Sequence, residues 1–474
     1  MENKNFSLPS LGNKNCKNFF RFYFVFRSLI RNFVKRFKKS DMKKIMWALA
    51  LALAFTMSAN AANNEKTPTS NENCPFVTVR DGKFYIGNKE YSYVGANMWY
   101  AGILGCKDPN KGGNRERLIK ELDLMKKYGV DNVRVLIGAE GRDNQKYHIS
   151  PILQPQPGEY DEDLLEGLDF MMAEFEKRDM KAILFFTNSW EWSGGYGSYL
   201  EWVNGVECPL PADGYNEYTE FVKEFVVNEK CKELYYDYVR YIVTRTNTIT
   251  GKPYKESPAL MAWEVANEPR CFSRDPKYKA ALVDWIDKTS RLVKSLDPNH
   301  LMTTGSEGEE GCEYDLELFT KIHTLPCIDY ACIHIWPKNW RWTKEPTPTG
   351  QTVKDYVEQM TREYVERAYK ALSPYKKPIV LEEFGYARDN DAYAVGTPTK
   401  AKDEYYQFMF ELTKNSGMLN GCNFWGWAGL AEVKHEWWQK WDDYTSDPAQ
   451  EPQGLYCVYA KDKSTMKLIK KYAR

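Results

Sequence analysis

Eight short apolar runs recur between residues 91 and 425, and this alternation restricts the possible folds more than any other feature of the chain. The runs are of strand length and occupy residues 91–96, 132–137, 181–187, 259–265, 300–304, 328–335, 378–382 and 420–425. Stretches with apolar residues every three or four positions, typical of amphipathic helices, lie between most of them, at 114–128, 162–178, 215–246, 277–296, 314–323, 352–372 and 402–415. Strands that alternate with helices predict an α/β fold with a parallel sheet.

Eight strand–helix units in one stretch of chain favour a single closed (β/α)8 TIM barrel over several domains. The alternative is an open, doubly wound sheet, which needs a glycine-rich phosphate-binding turn after its first strand. Residues 95–100 read GANMWY and lack that turn. Ahead of the barrel, residues 76–86 predict a β-hairpin that turns at Asp81 and Gly82. A last helix is expected from about Ser464 to the end of the chain.

The first 73 residues have the pattern of an export signal and a linker. Residues 42–61 combine two lysines, an apolar run and a small-residue cleavage pattern, which predicts a signal peptide with Ala62 as the mature start. We interpret residues 1–41 as a wrongly assigned start upstream of Met42, or alternatively as an unusually long basic leader. Residues 62–73 then form a polar linker and 74–474 the folded domain. The protein is therefore expected to be periplasmic or secreted, with no membrane span in its mature part.

Charge and cysteine content exclude several classes of protein. Twelve of the 65 Lys and Arg residues and two of the 65 Asp and Glu residues precede residue 62, which leaves 53 basic and 63 acidic residues in the mature chain. Such an acidic body argues against a polyanionic partner such as nucleic acid. Ten cysteines follow the cleavage point and could form disulfides, but Cys332 and Cys422 lie in apolar runs and are expected to be buried thiols. Five histidines and no Cys pair at metal spacing predict no metal site.

Carboxylates stand at the polar ends of two of the apolar runs. Residues 263–269 read WEVANEP and residues 381–385 read LEEFG. A carboxylate at the end of a buried strand is costly unless it is paired or used in chemistry. In a TIM barrel the active site lies at the carboxyl ends of the strands. Two carboxylates that face each other across a cleft are what glycoside hydrolysis requires, one as proton donor and one as nucleophile or base.

With these two motifs, the chain resembles glycoside hydrolase family 5, and more narrowly the endo-β-1,4-mannanase subgroup of that family. Further matching segments occur in the expected order at 94–100 (VGANMWY), 133–136 (VRVL), 188–195 (NSWEWSGG), 304–308 (TGSEG), 334–340 (HIWPKNW), 424–427 (FWGW) and 451–459 (EPQGLYCVY). The resemblance covers roughly residues 75–474. It implies a retaining glycosidase that needs no cofactor.

The resemblance also implies roles for particular residues. Glu268 matches the family's acid/base and Glu383 its nucleophile, while Glu382 is expected to point to the opposite face of its strand and to be structural. Arg134 matches the arginine that keeps the nucleophile ionised, Asn267 the residue that bonds the sugar 2-hydroxyl, and Trp425 the platform beneath the sugar. The alternatives are an ordinary strand ion pair for Arg134 and a packed rim residue for Trp425.

Other aromatic and polar residues are candidates for binding the substrate. His334 is expected to contact substrate or carboxylate, and Trp336 stands where the family often has a tyrosine that bonds the nucleophile. An indole N–H donates a hydrogen bond but cannot accept one. Asn188 and Trp190 replace the histidine of cellulose-active members, and Trp99 and Tyr100 are expected to form an outer stacking surface for sugars, although the sequence does not say which of the two faces the cleft.

The expected substrate is a β-1,4-mannan, glucomannan or galactomannan. The enzyme is expected to cleave it by double displacement and to be a monomer. Alternatives are hydrolysis of cellulose or xyloglucan, an exo-acting β-mannosidase, and a non-catalytic sugar-binding barrel. The exo alternative stays open because residues 187–215 and 430–455 are long enough to block one end of a cleft. A barrel hydrolase that depends on a metal is disfavoured by the scarcity of histidine.

Overall fold

The computed structural model describes residues 75–143, 145–211 and 214–473. The predicted leader, signal peptide, Ala62 cleavage point and linker lie outside the described residues. Three antiparallel strands come first: β1 (Val77–Arg80), β2 (Lys83–Ile86) and β3 (Lys89–Tyr91). The predicted hairpin is correct, with Asp81 and Gly82 at φ 47° and 75° in its two-residue turn.

Eight parallel strands form the central sheet, as the sequence predicts, so the (β/α)8 barrel is confirmed. They are β4 (Tyr93–Asn97), β5 (Asn132–Leu136), β6 (Lys181–Phe185), β7 (Leu260–Glu264), β8 (Leu301–Thr303), β9 (Ala331–Ile335), β10 (Ile379–Phe384) and β11 (Gly421–Phe424). They are hydrogen-bonded in the order β8-β7-β6-β5-β4-β11-β10-β9. Between β8 and β9, Asp329 N donates to Met302 O at 2.8 Å and Thr303 Oγ1 donates to Tyr330 O at 3.0 Å, which brings the two edges together.

Helices surround the barrel and match the amphipathic stretches closely. They are α1 (Ala101–Leu104), α2 (Arg115–Tyr128), α3 (Glu162–Glu176), α4 (Gly195–Asn204), α5 (Asn216–Val222), α6 (Glu229–Val243), α7 (Pro276–Leu296), α8 (Leu316–His323), α9 (Val353–Leu372), α10 (Lys400–Asn415) and α11 (Lys463–Tyr472). The single stretch expected at 215–246 is divided, because Asn228 has extended backbone and its side chain accepts from Lys230 N and Cys231 N. That contact caps a new helix. Helices α1 and α4 were not predicted.

Two apolar clusters hold the barrel together. The larger one lies between the strands and the surrounding helices. The smaller one closes the amino-terminal end of the barrel, where Val77 and Phe84 of the hairpin pack against Met261, Tyr330 and Val380. The opposite end is therefore the one available for a site, as expected for this architecture.

A long segment after the last barrel strand returns over that open end. It contains two short strands, β12 (Trp427–Gly429) and β13 (Val458–Tyr459), which pair with each other in parallel. Asp447 anchors the segment, since its carboxylate accepts from the Gly454 and Tyr456 backbone N–H groups. The barrel mouth is thus partly covered rather than fully open.

The nine described cysteines, which lie between positions 106 and 457, are all unpaired. Cys332 and Cys422 are fully buried thiols, as predicted. Among the described residues, no helix is long and apolar enough to cross a membrane.

Candidate active site

Glu268 and Glu383 meet at the carboxyl ends of β7 and β10, where they are 7% and 3% exposed. The side chain of His334, at the end of β9, lies between them. Its Nδ1 is 2.7 Å from Glu268 Oε1 and 3.4 Å from Glu383 Oε2. One oxygen of each carboxylate and this nitrogen all lie within 4.8 Å of one another. The two carboxylates thus face each other at short range.

The backbone at Glu268 is held in an unusual conformation. Its φ is 49°, in the left-handed region that costs energy for a residue other than glycine. Glu268 N donates to Gly305 O at 2.9 Å, and Ser189 Oγ donates to Glu268 O at 2.6 Å. Position 305 has to be glycine, because a Cβ there would lie 1.8 Å from Ala266 O. These contacts explain why the carboxylate turns into the barrel mouth.

Arg134 on β5 is completely buried and contacts Glu383 directly, with NH1 2.5 Å from Oε1. It also forms a two-point ion pair with Glu264, at 2.5 Å and 3.0 Å. Its remaining hydrogen bonds go to Asn97 and Asn267. The guanidinium is thus shared between two carboxylates, and the predicted contact with Glu383 is present.

Burial has the largest effect on both carboxyl groups and raises the pKa of Glu268 and of Glu383 above the ordinary value. Each negative charge also opposes ionisation of the other, so the pair favours a state with one proton. Arg134 favours the ionised form of Glu383 by direct contact. Glu268 has only neutral partners in contact, so we assign the proton to it. Burial and Arg134 hold the pKa of His334 well below its usual value, which keeps the imidazole neutral.

Indole N–H groups bond both carboxylates. Trp336 Nε1 donates to Glu383 Oε2 at 3.2 Å, so the tryptophan supplies the hydrogen bond expected from the family's tyrosine. Trp190 Nε1 donates to Glu268 Oε2 at 2.5 Å, a contact that the sequence did not reveal. The Trp425 ring lines the same cavity and lies edge-on to Trp336 at 5.8 Å.

Asn267 and Asn188 are linked to each other. Asn267 Nδ2 donates to Asn188 Oδ1 at 3.1 Å, while Asn267 Oδ1 accepts from Arg134. Asn267 lines the cavity. Asn188 is fully buried and holds the backbone of Trp190 and the side chain of Ser193. It supports the loop from below and does not line the cavity.

The expectation that Trp99 or Tyr100 forms an outer stacking surface is not met. Trp99 is 3% exposed and donates to Ser446 O at 2.9 Å. Tyr100 is fully buried, donates to Trp427 O at 2.9 Å and stacks on Tyr444. Both rings lie beneath the segment that follows β11. The sequence could not show this, because the covering residues are more than 300 positions away.

The cavity around the carboxylates has a volume of about 400 Å³. Arg270 lines it and pairs with Glu307 at 2.5 Å, and neither residue was predicted to belong to the site. Their positions directly after the 263–269 motif and within the 304–308 motif were the available signals. The other lining residues include Trp192, Tyr215, Glu310, Asn339, Trp340, Pro448, Gln450 and Glu451.

Among the described residues, Glu268, His334 and Glu383 are the one group of side chains close enough together to hold a metal ion. Two guanidinium groups, those of Arg134 and Arg270, act on these carboxylates and oppose a further cation. Two buried carboxyl groups at short range are also an arrangement that can perform proton transfer and nucleophilic attack. We therefore assign the group to acid–base chemistry.

Comparison with known proteins agrees with this geometry. A family model described as "GH family 5 beta-mannosidase-like" matches residues 74–474. Mannan endo-1,4-beta-mannosidase 1 of Arabidopsis thaliana is 30% identical over 360 residues, which covers 73% of this chain and 80% of the relative.

Solved structures give the same result. The crystal structure of a glycoside hydrolase family 5 mannosidase from Rhizomucor miehei superposes with a TM-score of 0.76 at 32% identity, covering 85% of this chain and 97% of that one. An endo-beta-1,4-mannanase from Thermotoga petrophila has a TM-score of 0.60 at 24% identity, covering 81% and 77%, and shares the fold.

Proposed function

Because the chain belongs to the β-mannosidase-like branch of glycoside hydrolase family 5, we propose that it hydrolyses β-1,4-mannosidic bonds with retention of configuration. The observation that carries the proposal is the pair of buried carboxylates with oxygens within 4.8 Å of each other. Retaining glycosidases hold their carboxyl groups about 5–5.5 Å apart, whereas inverting enzymes leave room for a water between them.

In the first step, a Glu383 carboxylate oxygen attacks the anomeric carbon and forms a glycosyl ester. The glycosidic C–O bond breaks, and the leaving oxygen takes the proton of Glu268. Arg134 and Trp336 hold the attacking carboxylate in place through hydrogen bonds to both of its oxygens. A fixed, ionised nucleophile reduces the reorganisation that the transition state requires.

In the second step, ionised Glu268 removes a proton from water, and the resulting hydroxide attacks the anomeric carbon. The ester bond breaks, which restores the Glu383 carboxylate and the protonated Glu268. One water is consumed in each cycle. Two successive inversions leave the product in the β-configuration.

Proton NMR of the first products tests the mechanism. We expect the β-anomer to appear first and the α-anomer to follow by mutarotation. An α-anomer that appears first would mean inversion and would reject the double displacement, while the glycosidase assignment would stand.

A mannose-configured substrate is supported by the relatives and by the amide at position 267. Asn267 lines the cavity and matches the family residue that bonds the sugar 2-hydroxyl, the group that distinguishes mannose from glucose. A mismatched hydroxyl would leave polar groups unpaired, at a cost of about 1–3 kcal/mol. We expect mannan to be preferred over cellulose by at least about tenfold in kcat/KM. Equal values would reject the mannan preference and favour a broader β-1,4-glycan hydrolase.

A second candidate, exo action, is favoured by the covered barrel mouth. The segment that follows β11 lines the cavity with Pro448, Gln450 and Glu451 and covers Trp99 and Tyr100. An endo-acting enzyme needs a cleft that is open at both ends, whereas a cavity closed on one side admits only the end of a chain. We expect mannohexaose to release mannose as its first product. Release of mannobiose and mannotriose together from the start would favour endo cleavage.

The cellular location is also part of the proposal. The basic and apolar pattern of residues 42–61 supports export, so the mature enzyme would act on its polysaccharide outside the cytoplasm. We propose that it does so as a monomer.

A further inference from the structure

Below the catalytic pair lies a second pair of carboxyl groups, Glu264 and Glu382. Because Glu383 faces the cavity, regular alternation would turn its neighbour Glu382 out of the barrel, but the strand contains a bulge. Leu381 pairs with Ile333 and Glu383 pairs with His334 on β9, so Glu382 is an extra residue. Its side chain stays inside the barrel and is completely buried. The sequence-based expectation that Glu382 points to the opposite face is therefore wrong.

One oxygen of Glu382 has a donor and the other has none. Tyr330 OH donates to Oε1 at 2.9 Å. Oε2 is buried and accepts no hydrogen bond from any described residue. The Glu264 carboxylate lies within hydrogen-bonding reach of Glu382. A buried carboxyl oxygen that has no donor and belongs to a group beside another carboxylate is satisfied if it carries a proton.

The charges around Arg134 lead to the same conclusion. This guanidinium pairs with Glu264 and Glu383 and lies near Glu382. Three ionised carboxylates around one buried cation would leave two negative charges uncompensated, and a proton on Glu382 removes one of these costly charges.

We propose that Glu382 stays protonated and acts as a positioning residue by donating its Oε2–H to Glu264. This proposal rests on the proposed function. The hydrogen bond withdraws charge from Glu264 and weakens its hold on Arg134. Arg134 is then shared with Glu383 and keeps the nucleophile ionised at lower pH. The contacts run from Tyr330 through Glu382, Glu264 and Arg134 to the nucleophile.

The surroundings favour the protonated form of Glu382 at neutral pH. Burial, followed by the negative charge of Glu264, raises the pKa of Glu382 to about 8, while Arg134 and the bonded side chains lower it. The titratable and charged groups that face it are Glu264 on β7, Arg134 on β5, Tyr330 and Cys332 at β9, and Tyr93 on β4.

Two substitutions separate hydrogen bonding from packing. Glu382→Met keeps the length of the side chain but donates nothing, whereas Glu382→Gln keeps an N–H donor and cannot ionise. We expect Glu382→Met to move the acidic limb of kcat/KM upward by roughly 0.5–1 pH unit. In Glu382→Gln, the acidic limb should lie within about 0.2 pH unit of its wild-type position. An unmoved limb in Glu382→Met, or an equal shift in both variants, would overturn the proposal.

Infrared spectroscopy tests the proton directly and does not depend on activity. The spectrum of the wild type minus that of Glu382→Gln at pH 7 should contain the carbonyl band of a protonated carboxyl group, and this band should disappear above about pH 9. Absence of the band at pH 7 would overturn the proposal. If the enzyme proved to be inverting, the band would still be expected. The retaining mechanism and the protonation of Glu382 can therefore be rejected independently of each other.

Discussion

Replacing Trp190 with phenylalanine should move the alkaline limb of the kcat/KM profile to higher pH. The indole N–H donates to Glu268 Oε2 at 2.5 Å and favours the ionised form of that carboxyl. Phenylalanine keeps an aromatic ring against Tyr215, Phe272 and Arg270 but has no donor. The pKa of Glu268 should therefore rise. Because Glu268 has to be protonated for the first step, the alkaline limb of kcat/KM should move to higher pH.

The size of the shift follows from the energy of one charge-assisted hydrogen bond. Such a bond contributes about 1.5–3 kcal/mol, and 1.36 kcal/mol corresponds to about one pKa unit. Water in the open part of the cavity can replace the lost donor in part, so we expect a shift at the lower end, about one pH unit. The assay is kcat/KM for an aryl β-mannoside between pH 4 and 10. The pKa values read from the two limbs of the profile belong to the interacting Glu268–Glu383 pair as a whole.

Trp202→Phe is the matched control, since Trp202 packs on Tyr199 at 5.2 Å and makes no contact with the carboxylates. Its pH profile should equal that of the wild type. A Trp190→Phe profile with an unmoved alkaline limb, or one moved to lower pH, would refute the assigned role of the indole. A shift of similar size in the control would point to a general packing effect.

The remaining predictions concern catalysis, stability and processing. Glu268→Gln and Glu383→Gln should each lower kcat by several orders of magnitude with an unchanged circular dichroism spectrum, and Glu382→Gln should lower it far less; near-normal hydrolysis by either of the first two would contradict the site. Burial raises the pKa of Glu140 to about 7, so its folded form binds a proton more tightly than its unfolded form, and stability falls as pH rises from about 4.5 to 7. Glu140→Gln should thus be more stable than the wild type above pH 7, by at most about 3 kcal/mol in urea denaturation, and a difference independent of pH would reject this. N-terminal sequencing of exported protein should begin at Ala62, and a mature form that retains residues 1–41 would reject the cleavage site.

Much of the fold was predictable because its determinants are local. Apolar runs of four to eight residues have to be buried on both sides in a parallel barrel, so their positions can be read directly from the sequence. The catalytic carboxylates follow from the same pattern, since Glu268 and Glu383 stand where buried strands end. The break in the helical stretch at Asn228 was missed because a capping side chain competes with the periodic signal.

The chemistry around the carboxylates depended on residues that are distant in the sequence. The indole of Trp190 reaches Glu268 across 78 positions, and Arg270 meets Glu307 across 37. No local pattern specifies such contacts, because each depends on how two loops leave different strands.

The sequence by itself determined the strand–helix order, the barrel and the two carboxylates, because burial and the strand period act over a few neighbouring residues. The tertiary structure alone decided that Trp99 and Tyr100 lie beneath the last segment and that Glu382 stays inside the barrel. The first depends on packing between residues more than 300 positions apart, and the second on a bulge set by pairing with β9. A strand's period of two predicts which way a side chain points only while its pairing stays regular.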